Sequence, residues 1–490
     1  MGFTSSRTSA GALPISCLHL AAALLCGFAL RLYFVVHFPF YAGDTKFYEE
    51  LARNWLDHRV YGLFVNGQLF PVDMRVPGYP AFLAAIYSVF GRTRLAVMLA
   101  QAIIDLVTCV LAALIVSRIA PQATKQKAAT IALWLAVLCP FTASYTAAIV
   151  TETLAAFFTT LAFFLLVRAL TDSTLAPSAS RPLDRSATLR FAGLFTLAGF
   201  AAGLGTLVRP ETPLVLAAAG LVLCIRWRRP AAWTNLALAS LWMGVGLLAA
   251  LTPWAARNAR TLGRIQFLAP HYAESAGDYI PRGFYSWAKT WMVRYRDAYT
   301  VTWALGKKPI PIDVLPAAAF DSSAEHDRVA SLLASYNSDL KITPLLDNQF
   351  QALAGERASA HPLRTFIWIP VEREFGMWFT PRVDVLRYSG RLFPLAAQHR
   401  AKPVEFNVTV LFTLLNSLYV ALAAAGAWRY RANPGCAVLV LYLLIRTAIL
   451  TQLPTVEPRY VVICFPVVAA LGALAFVKPL SRPLADELRP

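Results

Sequence analysis

Charge is scarce in this chain. Only 15% of its 490 residues are Asp, Glu, Lys or Arg, and 57% are hydrophobic, whereas soluble domains carry about 25% charge. Apolar runs of about 20 residues, the length that crosses a hydrocarbon core, recur along the sequence. Together these features exclude an ordinary solvated globular domain. Cysteine offers no framework either. Cys17, Cys26, Cys109, Cys139, Cys224, Cys436 and Cys464 lie in or beside apolar runs, with no CxxC and no Cys/His spacing. That pattern argues against a disulfide scaffold and against zinc. A Gly-rich phosphate loop is also missing. Positive charge is in excess, at a formal +18. The basic residues gather in short loops flanking apolar runs, which fits positive-inside orientation rather than a nucleic-acid-binding face.

The apolar runs fall at roughly 14–36, 94–118, 128–148, 153–170, 190–208, 212–226, 234–253, 404–426, 435–452 and 459–477. The first is too long for the core of a secretion signal and is expected to remain as a span. "RVPGYPAFLAAIYSVFGRTR" (75–94) is shorter and is expected to lie at the interface. If it does not cross, "SRIAPQATKQKA", "RWRRPAAW", "WRYRANPG", Arg7, Lys478 and Arg482 share one side. By the Lys/Arg rule that side is cytoplasmic, with both termini there. The reading is an all-α polytopic membrane protein of about ten transmembrane helices.

The opposite face then collects Asp44, Tyr48, Arg75, Glu152, Arg209, Glu211, Arg257, Glu457 and Arg459. Ionisable groups near hydrocarbon need partners or water, so a polar cavity is expected there. In "GDTKFYEELARNWL", Tyr48, Leu51, Ala52 and Trp55 recur at helical spacing, as in an amphipathic surface helix. Asp44 there serves equally as a helix cap or as a carboxylate held at the membrane surface. Glu152 after Thr151 suits a helix dipole as well as a reaction. "MRVPGYP", "LVRPETP", "LTPWAARNARTLG" and "LPTVEPRYVVICFP" each join proline and arginine at a span end. Such arginines suit a phosphate through the guanidinium fork, or simply mark the interface.

Taken in order, "GDTKFYEELARNWL", "RVPGYPAFLAAIYSVFG", "TETLAAFFTTLAFFLL", "VRPETPLVLA", "TPWAARNARTLG" and "EPRYVVICFPVVAAL" resemble the GT-C superfamily of glycosyltransferases. The resemblance is to the bacterial branch related to protein O-mannosyltransferases, lipid A aminoarabinose transferases and lipopolysaccharide galacturonosyltransferases. It covers most of 14–270 and about 450–478. It implies inverting transfer of a sugar from a polyprenyl-phosphate donor to a glycan, lipid or protein acceptor outside the cytoplasm, in the bacterial inner membrane. By similarity, Asp44 matches the favoured catalytic carboxylate, and Glu152 a second acid that is often aspartate in relatives. Arg75, Arg209, Arg257 and Arg459 are then the donor-phosphate candidates, with Tyr48, Glu211 and Glu457 in support. No motif calls for a cofactor. Arginines or a divalent cation can stabilise the departing phosphate, and the metal is left open.

This divides the chain into a GT-C transmembrane module (1–253, with its first external loop at 37–93), an extracytoplasmic helical segment (254–403) and C-terminal transmembrane helices (404–490). In the middle segment two polar helices broken at Thr343-Pro344 are expected. So is an aromatic helix at "HPLRTFIWIPVEREFGMWFTPR" resting on the membrane, and His271, His326 and His361 read as surface residues. Asp105, in "QAIIDLVTCVL", falls at mid-span and needs a partner, with Arg31 and Arg446 at matching depth. The alternatives are an O-antigen polymerase or ligase, whose basic residues would lie in the large loop, and a lipid-linked-sugar flippase, which would show repeats and midplane charges.

Overall fold

The computed structural model describes residues 14–41, 43–172, 185–228, 233–269 and 279–479, and helices dominate it. Arg7, His271 and Arg482 lie outside the described residues. The chain opens with α1 (Cys17–His37), capped by Ser16, whose side chain accepts the His19 N–H. There follow α2 (Gly43–His58), a hairpin of β1 (Gly62–Val65) and β2 (Gln68–Pro71), α3 (Gly78–Phe90) and α4 (Arg94–Ile119). Next come α5 (Lys125–Val137), α6 (Pro140–Tyr145), α7 (Glu152–Thr171), α8 (Arg185–Thr206), α9 (Leu214–Arg226) and α10 (Trp233–Leu262). The middle segment holds α11 (Arg282–Lys289), α12 (Asp297–Thr300), α13 (Ser323–Asp339), α14 (Pro344–Ala360), α15 (Ile369–Phe379) and α16 (Leu395–Ala401). The chain closes with α17 (Pro403–Arg429), α18 (Pro434–Leu450) and α19 (Phe465–Leu474).

Among the described residues six helices, α1, α4, α7, α8, α10 and α17, are long and apolar enough to cross a membrane. The other expected spans are helical but short or broken. α5 stops before Pro140 and resumes as α6, α9 and α18 are brief, and a 3-10 stretch, Pro458–Cys464, precedes α19. α3 has 13 residues, about 20 Å at 1.5 Å per residue. That is short of a hydrocarbon core of about 30 Å. Helices α8 and α10 approach with almost nothing between them. A Cβ at Gly199 would lie 2.0 Å from the Met243 carbonyl oxygen, and one at Gly246 2.0 Å from that of Thr196. Small residues at such crossings let two backbones pack directly.

One element has no counterpart in the sequence reading. Asn66 (φ 50°) and Gly67 (φ 80°) form a two-residue turn that pairs Gly62 with Pro71 and Val65 with Gln68. Both turn positions need positive φ, which Asn-Gly supplies.

The middle segment has its own core, with Phe284, Trp287, Val329, Leu333, Tyr336 and Phe350 buried together. Its two polar helices break where expected: the Thr343 hydroxyl caps α14 by accepting the Leu346 N–H at 3.2 Å, and Pro344 opens the helix. Buried Arg357 bonds Thr290 at 2.9 Å and the Ala319 carbonyl at 3.0 Å, binding three parts of the segment together. The aromatic stretch enters α15 through a π-turn, Arg364–Trp368, and leaves Phe366, Trp368 and Phe375 exposed. His326 and His361 lie at the surface, within 3.2 Å of Asp327 and 3.9 Å of Asp321.

Asp105 finds its partner in Arg31, with Nη2 at 2.6 Å and Nε at 2.9 Å from the same oxygen. The remaining guanidinium donors go to the Gly27 and Val137 carbonyls and to the Cys109 sulfur. Arg446, the other candidate, is engaged elsewhere.

Candidate active site

Backbone contacts gather the start of α2, the turn before α3, the start of α7 and the turn after α8 at one end of the bundle. Phe40 donates to the Ala147 carbonyl (2.9 Å) and accepts from the Ile149 N–H (3.3 Å), while Thr45 donates to the Ile149 carbonyl (2.9 Å). These contacts lay the start of α2 beside the start of α7. In the "MRVPGYP" turn the Gly78 N–H donates to the Leu207 carbonyl at 2.6 Å, and a Cβ at Gly78 would meet that oxygen at 2.5 Å. Glycine there lets the turn carrying Arg75 press on the chain end carrying Arg209.

The side chains then interlock. Asp44 lies in the first turn of α2, and its two oxygens face Arg459 Nη2 at 3.2 Å and Arg75 Nη2 at 3.5 Å. Glu152 is 1% exposed. Its Oε1 accepts from Arg209 Nη1 at 3.0 Å and lies 3.8 Å from Arg459 Nε, while Oε2 is buried with no hydrogen-bond partner. Glu211 holds Arg209 Nε at 2.7 Å, and Glu457 holds Arg459 Nε at 2.6 Å. Tyr460 donates to Glu457 at 2.7 Å and places its ring under both arginines, 5.2 Å from Arg209 and 5.9 Å from Arg459.

Two members of this network were not singled out for the site from sequence. Arg446 reaches Glu211 at 3.1 Å and the Tyr460 carbonyl at 2.6 Å. Tyr460, next to Arg459, carries no motif that distinguishes it from a core tyrosine. The adjacency "EPRY" was the available signal.

Tyr48 packs edge-on against Tyr79, ring centroids 5.1 Å apart. Burial, with Asp44 adding and Arg75 opposing, pushes its phenol up to about 12, so it stands as a neutral donor beside Asp44. Burial alone would raise Glu211, but Arg209 and Arg446 overcome it and hold the carboxyl at about 2.

Arg257 is not brought into the cluster. It donates to the backbone carbonyls of Tyr61 (2.6 Å) and Val72 (2.8 Å), flanking the hairpin, and stacks near Tyr61 and Trp254. It also lines an apolar groove of about 850 Å3 with Phe82, Ile104, Phe158, Leu207 and Trp254. Pro77, Leu154 and Val208 line the same groove. They lie within two residues of Arg75, Glu152 and Arg209, so the groove adjoins the ionic cluster.

The carboxylates do not form a cation site. Asp44, Glu152, Glu211 and Glu457 each face a guanidinium. Among the described residues no group of three or more His, Cys, Asp and Glu is placed to hold a metal ion.

A scan of protein-family models found no match, and a search of curated proteins found none. Solved structures do show similarity. The archaeal oligosaccharyltransferase AglB from Archaeoglobus fulgidus, in complex with an inhibitory peptide and a dolichol-phosphate, is 14% identical, with a TM-score of 0.49 over 94% of this chain and 49% of that one. The oligosaccharyltransferase of the same organism with Zn and sulfate gives 13% and 0.47 over 93% and 48%. ArnT from Cupriavidus metallidurans, bound to undecaprenyl phosphate, gives 15% and 0.39 over 93% and 77%. The chain thus spans about half the length of the archaeal enzymes and about three quarters of ArnT.

Proposed function

We propose that this protein is a membrane glycosyltransferase that moves a sugar from a polyprenyl-phosphate donor to an acceptor on the extracytoplasmic face of a bacterial inner membrane. The observation that carries this reading is the unequal grip on the carboxylates at the mouth of the groove. Glu211 accepts a hydrogen bond from Arg209 Nε at 2.7 Å, whereas the Asp44 distances to its two arginines are 3.5 and 3.2 Å. Charge-assisted bonds close at about 2.7–2.9 Å, so Glu211 is a clamp and Asp44 is loosely held.

A donor phosphate is a better partner for Arg75 and Arg459 than a loosely held carboxylate, because it offers oxygens to both forks. Its arrival releases Asp44. The acceptor oxygen or nitrogen then bonds to the anomeric carbon as the bond from that carbon to the phosphate oxygen breaks. The acceptor's proton passes to Asp44, and the electron pair stays on the polyprenyl phosphate, where Arg75, Arg209 and Arg459 meet the developing charge. The prenyl tail occupies the apolar groove. Attack opposite the leaving phosphate inverts the anomeric centre.

The test is sugar release or transfer from a panel of polyprenyl-phosphate sugars by the full chain in nanodiscs, wild type against Asp44→Asn. Turnover of a donor by wild type, lost in the folded variant, is the expected result. Turnover that survives the substitution removes Asp44 from the reaction.

A further inference from the structure

Beside the ionic cluster stands an aromatic group that the transfer chemistry above does not use. Tyr295, Tyr299 and Trp303 recur every four residues around α12. The rings are mutually edge-on, with centroids 5.4 Å (Tyr295–Tyr299), 5.5 Å (Tyr295–Trp303) and 4.6 Å (Tyr299–Trp303) apart. The opposite side of the same stretch is fixed: Ala298, Val301 and Ala304 are buried. Thr302 bonds the Thr455 hydroxyl at 3.1 Å, two residues before Glu457. The outward rings are open, Tyr299 at 57% and Trp303 at 36% exposure.

The Thr302–Thr455 bond ties the ring-bearing stretch to the segment that carries Glu457 and Arg459. The Tyr295 hydroxyl is raised by burial and by Glu457, and Arg459 opposes the shift, which sets the tyrosine within electrostatic reach of both.

We infer that Tyr295, Tyr299 and Trp303 form the acceptor subsite and that it takes a pyranose ring, so the acceptor is a saccharide. This rests on the glycosyltransferase reading. A pyranose has an apolar C–H face and a rim of hydroxyls. Three rings at steep angles give it one aromatic face to lie on and two walls beside it. The paired Tyr295 and Tyr299 hydroxyls, 3.2 Å apart, supply a donor and acceptors for the rim. An extended peptide would instead want a strand edge or alternating pockets, and the three rings on one short helical stretch offer neither.

The experiment is saturation-transfer NMR on the full chain in nanodiscs, without donor. The probes are methyl glycosides of gluco, galacto and manno configuration and a β-linked glucosamine disaccharide, with a serine/threonine peptide as competitor. Saccharide C–H signals are expected from wild type, with a dissociation constant raised about tenfold in Tyr299→Ala and in Trp303→Ala and largely restored in Tyr299→Phe. A tenfold change corresponds to about 1.4 kcal/mol. No saccharide signal from wild type, a signal the alanine variants keep, or displacement by the peptide overturns the inference. Donor turnover is measured separately. Saccharide binding without donor turnover would sink the transferase reading and leave the subsite standing, and donor turnover without saccharide binding would do the reverse.

Discussion

Two of the arginine–carboxylate systems in this bundle are built to opposite ends. At mid-span, Arg31 spends its donors on Asp105, two carbonyls and a thiol, and both side chains are closed off at 0% and 2% exposure. At the end of the bundle, Asp44 is 30% exposed and shared loosely between two arginines, and Glu152 keeps one oxygen unpaired. The closed pair has nothing left to offer a ligand. The open one can exchange partners, and a site that binds an anion needs to. A charge at the midplane is often read as functional, but here saturation of the guanidinium argues for a structural tie between α1 and α4.

Exchanging the two carboxylates for amides should therefore separate catalysis from folding. Asp44→Asn removes a proton acceptor, so turnover should fall about 10²–10⁴-fold with the thermal melt unchanged. Asp105→Asn should do the opposite. It leaves Arg31 charged and buried without its counterion, a loss of about 3–5 kcal/mol of stability. Replacing both Arg31 and Asp105 by leucine or methionine should recover most of that, since no charge is then stranded. A melt unaffected by Asp105→Asn would remove the contrast.

Much of this contrast was legible in the sequence, because it rests on periodicity and on chemistry at chain boundaries. The long spans follow from uninterrupted apolar runs, α2 from the spacing of Tyr48, Leu51 and Trp55, and the break before α14 from Thr343-Pro344. The meeting of Asp44, Arg75, Glu152, Arg209, Glu211, Glu457 and Arg459 was expected from their positions at span ends. What sequence did not show is which carboxylate grips which arginine, since that depends on rotamers and on backbone contacts such as Gly78 to Leu207. Arg446 was misplaced for a related reason. Depth along a helix gave it as a partner for Asp105, but the face of α18 turns it to Glu211. The hairpin had a signal in Asn66-Gly67, which the sequence reading did not take up.

A smaller effect sharpens the distinction between clamp and reactant. Glu211 positions Arg209 and Arg446 without lying next to Asp44, so Glu211→Gln should lower turnover only about tenfold, roughly the 1.4 kcal/mol of one weakened charge pair. Its pH signature is fixed by the depressed carboxyl. Held at about 2 rather than 4.5, the group contributes its full stability above the ordinary glutamate range and loses it progressively as pH falls from there through about 2. The gap in melting temperature between wild type and Glu211→Gln should stay constant between about pH 8 and pH 5, and narrow below about pH 4. A gap that closes near neutrality would mean that Glu211 is not held by its arginines.

The smallest effect belongs to Arg257, which the resemblance places with the phosphate-binding arginines. The structure gives it backbone partners instead, the Tyr61 and Val72 carbonyls on either side of the hairpin. Hydrogen bonds from a charged donor contribute about 1.5–3 kcal/mol when buried, and Arg257 is only partly so. Arg257→Gln should therefore cost about 1 kcal/mol in a thermal melt and change turnover no more than about threefold, through loosening of the groove wall. Arg459→Gln, by contrast, should raise the KM for the donor and lower kcat together, because that side chain faces both Asp44 and Glu152. If Arg257→Gln instead matched Arg459→Gln in turnover, the guanidinium must leave its carbonyls when donor binds, and the hairpin would have to move with it. A hydrogen-exchange measurement across 61–72, with and without donor, distinguishes the two cases: an anchor keeps its protection, whereas an arginine that swings to the phosphate loses it.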